Sequence, residues 1–247
     1  MITLSYGGGK QTIAIVTMIL EGKLPRPDMI VMADTAREVR TTFEYMNQVV
    51  QPALAEIGLR VEIAGHELSK HDLYKSGDLL LPAFTRQNGQ LGKMPTFCSN
   101  EWKQRVIRRY LRNRGVTDTD VWLGISLDEC ERMKDSGLNW YRHVYPLCEI
   151  VPTTRQGCIE QIKRFGWPVP HKSRCHMCPN QSAESWKELK RLDNGDFEKA
   201  VALENDIRST DPDVYLHPLG VPLSDAVELS ERQLYMFDGC DSGYCFT

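Results

Sequence analysis

Three groups of residues in this chain have the types and spacing to do chemistry. The stretch Ser5-Tyr6-Gly7-Gly8-Gly9-Lys10-Gln11-Thr12 sets three glycines, a lysine and a hydroxyl between two apolar runs. Glycine lets an anion approach the backbone with no Cβ in the way. A helix starting there would add roughly half a positive charge at its N-terminus. Lys10 would add a mobile point charge and Thr12 a donor, so the chemistry is phosphate binding. The bland alternative is a tight turn that only packs a helix on a sheet. The stretch does not fit the Walker pattern, whose Gly-Lys-Ser/Thr lies further from its first glycine. A second group is acidic: Asp34, Thr35 and Glu38 in "ADTAREVRTT", and Asp128 and Glu129, followed by Arg132, in "WLGISLDECERM". For these the plain alternatives are a helix cap at Thr35 and a solvated charge pair at 128–129. A third is Cys175 and Cys178, a C-x-x-C followed by Pro179, which can place two thiolates on one ion or form a redox disulfide.

These residues need elements to position them. "MITLSY", the glycine turn and "KQTIAIVTMILEG" read as strand, turn and helix, the helix apolar nearly all round, as behind a parallel strand. "DMIVMAD" (28–34) is a second continuous apolar strand, Tyr45, Val49, Leu54 and Ile57 fall at helical spacing, and "LRVEIAG" (59–65) is a third strand. This is βαβαβ, the opening of a doubly wound α/β sheet. Right-handed crossovers put the glycine turn and the end of the second strand on one edge, where ligands sit in such sheets.

Asn88-Gly89 suits a hairpin or an excursion loop. A helix from about Asn100 to Arg114, a fourth strand in "DVWLGIS" (120–126) and a helix at 154–165 follow. A Pro-rich loop, "GWPVPHKSRCHMCPN", two polar helices over 182–210 and a turn-rich tail from Asp211 complete the chain. The expected fold is a doubly wound, mainly parallel α/β sheet with helices on both faces. The expected domains are a nucleotide-binding 1–145 and a smaller, mostly helical 146–247 with the C-x-x-C and a cysteine-bearing tail.

Composition narrows the class. With 247 residues, 41% of them hydrophobic, the chain can bury one large core or two small ones. A net charge of −3 gives no global argument for nucleic acid or a membrane surface. No apolar run approaches the roughly 20 residues needed to cross a bilayer. No basic-then-apolar leader with a cleavage site is visible, so the expected address is cytoplasmic. There the eight cysteines read as metal ligands or reactive thiols rather than disulfides.

Together, "SYGGGKQT" and "ADTAREVRTT" resemble the N-type ATP pyrophosphatase (PP-loop, adenine nucleotide alpha hydrolase-like) superfamily, more narrowly its phosphoadenosine-phosphosulfate (PAPS) reductase-like branch. Its members carry a loop S-G-G-x-D-S, then a strand ending D-T-G-x-E with a threonine shortly after. Here Gly8, Gly9, Lys10 and Thr12 match the loop and Gln11 replaces its aspartate; Ala36 replaces the glycine of the second motif and Thr42 matches the threonine. "FCSNEWKQRVIRR" is similar to a family segment through Cys98 and Lys103, and "WLGISLDECERM" to another through Gly124, Asp128, Glu129 and Arg132. The resemblance runs from residue 1 to about 190.

It implies an enzyme that binds an adenine nucleotide through Ser5, Gly7, Gly8, Gly9, Lys10, Gln11 and Thr12, with Asp34, Thr35, Glu38, Gly124, Asp128 and Glu129 around them. Lys10, Lys103 and Arg132 would neutralise charge in the reaction. The implied ligand is ATP with Mg²⁺, cleaved between its α and β phosphates to activate an acceptor for sulfur transfer. The alternative is a PAPS or adenylyl-sulfate reductase whose Cys245 attacks the bound sulfonucleotide and is reset by thioredoxin. A further alternative is a nucleotide-binding accessory protein of a phage, DNA-modification or CRISPR system, with nucleic acid or an effector complex as partner. A homodimer is an open assembly.

The resemblance also extends to a metal. Cys98 lies 77 residues before Cys175, a spacing similar to that of adenylyl-sulfate reductases that hold a 4Fe–4S cluster, but Ser99 stands where they have a second cysteine. Cys98, Cys175 and Cys178 are therefore candidate ligands of a cluster with three protein ligands and an open iron, or of one whose fourth ligand is Cys130, Cys240 or Cys245, with zinc or a merely thiol-lined site as the other readings. Cys148 and Cys158 read as packing residues. Lys103, Arg105, Arg108, Arg109, Arg112 and Arg114 crowd one helix as a basic stripe, most simply a solvated face, otherwise a phosphate, nucleic-acid or acidic-partner surface.

Overall fold

The computed structural model describes residues 1–65, 73–75 and 77–232. In chain order the elements are β1 (Ile2–Ser5), α1 (Lys10–Leu20), β2 (Met29–Ala33), α2 (Arg40–Tyr45), α3 (Gln51–Glu56) and β3 (Val61–Ala64). Then come β4 (Tyr74–Lys75), β5 (Asp78–Leu79), β6 (Phe84–Gln87), β7 (Gln90–Lys93), α4 (Arg105–Asn113), β8 (Thr119–Trp122) and β9 (Tyr141–Val144). The remainder are α5 (Pro146–Glu149), α6 (Arg155–Arg164), α7 (Ala183–Arg191), α8 (Asp196–Thr210), β10 (Val214–Tyr215) and α9 (Leu223–Arg232). The chain divides into two compact units, 1–70 with 102–173, and 71–101 with 174–247. The sequence reading drew a single cut after 145; the division here is discontinuous along the chain.

The first unit is a doubly wound α/β layer. Its five strands run in the order β3-β2-β1-β8-β9 and every pairing is parallel. Alternate residues enter two separate cores, as the period of two demands. Leu4, Ile30, Met32, Val61 and Trp122 face the core shared with α1 and α6; Val31, Ala33, Ala64, Val121 and Tyr141 face the one shared with α4. Covered on both faces, the inner strand β2 reads as an unbroken apolar run, MIVMA. α1 is buried from Thr12 to Ile19 because the sheet lies on one side and α6 on the other. The α1–α6 seam is polar at one point: the buried Gln161 amide donates to Thr17 Oγ1 at 3.1 Å and Glu21 Oε2 at 2.7 Å. Thr154 caps α6 by accepting from Gly157 N–H at 3.1 Å.

Two features escape the sequence reading here. The helical stretch after β2 is interrupted by a π-helical turn, Met46–Val50, which puts Met46, Val50 and Leu54 in the core and leaves Val49 only half-buried. β9 is an edge strand of alternating Tyr141-Arg142-His143-Val144, too polar to stand out as an apolar run.

The second unit combines α7, α8 and α9 with an antiparallel sheet of order β10-β6-β7 and a short β4–β5 pair. Asn88-Gly89 makes the expected hairpin: both have positive φ (49° and 79°), and Gln87 pairs with Gln90. Glu204, buried on α8, accepts from Leu216 N–H at 2.7 Å and from Leu223 N–H, at the start of α9, at 2.6 Å. Burial pushes its carboxyl above the ordinary glutamate range, only partly opposed by those two donors. α9 lies inside what the sequence reading took as a turn-rich tail.

Candidate phosphate-binding site

In the first unit the chain steps from β1 outward to β2 and β3, then returns to the other side of β1 as β8 and β9. The order reverses between β1 and β8, and in open α/β sheets ligands bind beyond the carboxyl ends of the strands at that reversal. The loops after β1, β2 and β8 therefore form the candidate site.

β1 ends at Ser5 and α1 begins at Lys10, so Tyr6 to Gly9 make the whole turn. Gly9 is the N-cap of α1; no side chain caps it and no acidic residue occupies the first turn. The first-turn N–H groups, which no helix can satisfy internally, lie at the positive end of the helix dipole. Gly8 has φ +69°, and a Cβ there would stand 2.4 Å from Thr42 Cγ2. Gly124, after β8, closes from the other side: its Cβ would stand 2.9 Å from Thr12 Oγ1 and 3.1 Å from Thr12 N. The turn is thus clasped between α2 and the segment after β8, at two positions with no room for a side chain.

Gln11 closes a polar network below the turn. Its amide donates to Glu129 Oε2 at 2.8 Å, Ser126 Oγ donates to the same oxygen at 3.2 Å, and Arg132 Nη1 pairs with Oε1 at 3.0 Å. Glu129 is 9% exposed, so this carboxylate is consumed by the protein's own donors. Asp128 sits outward on the same 3₁₀ stretch, Leu127–Arg132, and accepts from Arg155 N–H at 2.8 Å. Burial, the largest influence, pushes its carboxyl up, but the Ser126 and Arg155 hydrogen bonds outweigh it and hold it below the usual range.

The loop after β2 is two side-chain turns. Asp34 Oδ1 accepts from Ala36 N–H at 2.7 Å and Thr35 Oγ1 accepts from Arg37 N–H at 3.3 Å. Thr35 does not cap α2, whose N-cap is Val39 with no side-chain bond. Ala36 has φ +52°, at the position where the resembling motif has glycine. Glu38 is buried; the Ser173 hydroxyl lies between its Oε1, at 2.7 Å, and the Gly7 carbonyl. Lys103 Nζ stands 3.9 Å from Glu38 Oε2, and the Arg37 guanidinium lies 4.9 Å from the Trp102 ring centre.

The structure therefore gathers Gly7, Gly8, Gln11, Thr12, Glu38, Lys103, Gly124, Glu129 and Arg132 through contacts on either side of the turn, with Gly9 and Lys10 between them at the start of α1. Asp34, Thr35 and Asp128 stand on the same edge in turns of their own, and Ser5 ends β1 in register with Val31. Ser126 and Ser173 were missed. A lone serine after a strand, or two residues before a C-x-x-C, carries no signal until the fold brings it to a carboxylate.

The cysteines divide between the units. In the second unit Cys178 N–H donates to the Cys175 carbonyl at 3.1 Å, and the Gln181 amide donates to the His176 carbonyl at 3.0 Å, which closes the C-x-x-C segment as a turn. Cys98 follows Phe97, its N–H bonded to Leu80 O at 2.9 Å. Among the described residues no three His, Cys, Asp or Glu side chains come together as metal ligands, so these cysteines do not complete a cluster or zinc set there. Cys240 and Cys245 lie outside the described residues. In the first unit Cys130 is exposed on the 3₁₀ stretch, whereas Cys158 is fully buried in the α1–α6 core and its thiol is pushed up to about 12 by burial. Cys148 is raised for the same reason and donates to the Ile125 carbonyl at 3.4 Å.

The basic helix is partly engaged. Arg112 lies 3.7 Å over the Trp140 ring and Arg114 pairs with Glu62 at 2.7 Å, while Arg105 and Arg109 are exposed.

No protein-family model matches the chain, and no curated protein matches it. Several solved structures resemble it, two of which follow. One is the phosphoadenylyl-sulfate (PAPS) reductase from Candida auris in a phosphate complex, at 16% identity and TM-score 0.45, over 68% of this chain and 74% of that one. The other is the U34-tRNA thiolase NcsA from Methanococcus maripaludis with its [4Fe-4S] cluster, at 13% identity and TM-score 0.44, over 94% of this chain and 70% of that one.

Proposed function

We propose that this chain is an enzyme that holds an adenosine nucleotide by its phosphate end at the N-terminus of α1. The observation that carries this is the clasp at Gly8 and Gly124, which pins an uncapped helix start at the strand-order reversal with Lys10 beside it. Backbone N–H groups and the helix dipole supply the anion site, and Lys10 supplies a full charge. The loop with Asp34, Thr35 and Glu38 is where the adenosine would lie, by the resemblance of "ADTAREVRTT".

In this reading the nucleotide is ATP, with Mg²⁺ as its counter-ion in solution. An acceptor oxygen attacks the α-phosphorus, pyrophosphate leaves, and a sulfur donor then displaces AMP from the activated acceptor. The helix start and Lys10 would stabilise the charge that grows on the phosphate oxygens, an electrostatic role set by position alone. No step is assigned to an iron–sulfur cluster.

Gln11 favours a second reading. With an amide where the pyrophosphatase motif has aspartate, the loop suits a sulfonucleotide. A thiolate, for which Cys245 is the candidate, would attack the sulfonate sulfur, leaving the sulfonate on the cysteine and releasing the nucleotide phosphate. A dithiol partner such as thioredoxin would then free sulfite and restore the thiol. A cytoplasmic address belongs to either reading; no described helix is long and apolar enough to cross a membrane. The deciding experiment assays AMP and pyrophosphate from ATP, and sulfite from adenylyl-sulfate or PAPS with a dithiol, on one preparation. AMP with pyrophosphate supports the first reading and sulfite the second. A protein that binds none of the three nucleotides overturns both.

A further inference from the structure

We propose that the loop takes its nucleotide without a divalent cation held by the protein, and that Gln11 is the residue that makes it so. This rests on the nucleotide reading above and deepens it. A magnesium site at a phosphate is built from one or two carboxylates plus the phosphate oxygens. Among the described residues, and setting aside exposed Glu131 and Asp135 further along the loop after β8, the carboxylates on this edge of the sheet are Asp34 and Glu38 after β2, and Asp128 and Glu129 after β8.

Each is directed into protein contacts. Asp34 closes its own turn on Ala36 N–H, Asp128 receives Arg155 N–H, and Glu38 faces Ser173 and Lys103. Glu129 comes nearest to the loop, and both its oxygens are occupied, by Gln11 and Ser126 on one and Arg132 on the other. The loop position that faces Glu129 is itself an amide. Only its nitrogen can face a carboxylate, so the 2.8 Å contact fixes the donor toward Glu129. The described carboxylates beside the loop are therefore already committed to the protein's own donors, and they do not fit a magnesium ion. They fit a loop whose balancing charge is already built in, as Lys10 and the helix start.

The same geometry says what would restore the metal. An aspartate at position 11 would face Glu129 across the loop. Two carboxylates so placed repel each other and the phosphate unless a cation joins them. The test is calorimetric titration with ATP, repeated with adenosine 5′-phosphosulfate, in excess EDTA and in millimolar Mg²⁺, on the wild type and on Gln11→Asp. The wild type is expected to bind with affinities within about threefold of each other in the two buffers. Gln11→Asp is expected to lose at least tenfold in EDTA and to recover most of it in Mg²⁺. A wild type that binds at least tenfold more tightly with Mg²⁺, for adenosine 5′-phosphosulfate as well as for ATP, overturns the inference while leaving the nucleotide reading intact. Absence of binding by both nucleotides in both buffers overturns the reading and the inference with it. Should Gln11→Asp fail to fold by circular dichroism, the wild-type comparison decides alone.

Discussion

Replacing Gly8 by alanine tests the clasp at its tightest point. The residue sits at φ +69°, which disfavours any L side chain by about 1–2 kcal/mol. The added Cβ would also stand 2.4 Å from Thr42 Cγ2, well inside contact distance. Thr42 is buried and β-branched, so it cannot swing aside cheaply; overpacking of this kind costs roughly 1–3 kcal/mol. Gly8→Ala should therefore lose about 2–5 kcal/mol, the sum of those ranges. The two parts separate in a double-mutant cycle. Thr42→Ser keeps the hydroxyl and removes the colliding methyl, so in that background Gly8→Ala should lose only the backbone part. The coupling should be about 1–3 kcal/mol, read from urea denaturation midpoints at constant m. Nucleotide affinity should follow the same order, wild type and Thr42→Ser binding more tightly than the double variant, and Gly8→Ala weakest. If Gly8→Ala costs the same in both backgrounds, the clasp between α2 and the glycine turn is not what holds the loop.

Ala36, exposed at φ +52°, should gain from Gly: relief of about 1–2 kcal/mol is offset by some 0.4–1 kcal/mol of extra chain entropy, a net gain of up to about 1.6 kcal/mol in denaturation, while Ala36→Val should lose stability. Tyr6 is buried with no partner for its hydroxyl among the described residues, so Tyr6→Phe should be neutral or stabilising by about 1 kcal/mol; a clear loss would show that the hydroxyl is used. Because burial raises the folded-state value of Glu204, its contribution is complete below the ordinary glutamate range and is lost as pH rises through the raised value. The stability difference between wild type and Glu204→Gln should accordingly shrink from pH 4 toward neutrality in urea titrations, roughly as the linkage relation requires; a difference that grows with pH would contradict the buried placement. In native protein, iodoacetamide should label exposed Cys130 well before buried Cys158, as peptide mapping would show.

Much of this molecule is local in origin and so legible along the chain. A parallel strand covered on both faces favours apolar residues throughout, which marks "MIVMA" directly. Asn88-Gly89 can only be a tight turn with positive φ, and three glycines before an apolar helix leave few structures other than the turn that forms. The sequence by itself determined the first βαβαβ, the hairpin, the helices from α6 to α8 and the place of the glycine turn. What it left open depended on partners distant in the chain. β9 is strand because β8 offers it a ladder, not because its alternating residues insist on it. α9 starts where Glu204, nineteen residues earlier, receives its first N–H. Gln11 carries no meaning alone; only the fold sets it against Glu129, 118 positions away, and turns an apparent defect in a motif into a donor for a buried carboxylate. A side chain's local neighbours follow from spacing, but which charge it meets is decided by topology, and the chemistry of this site lies in that second choice.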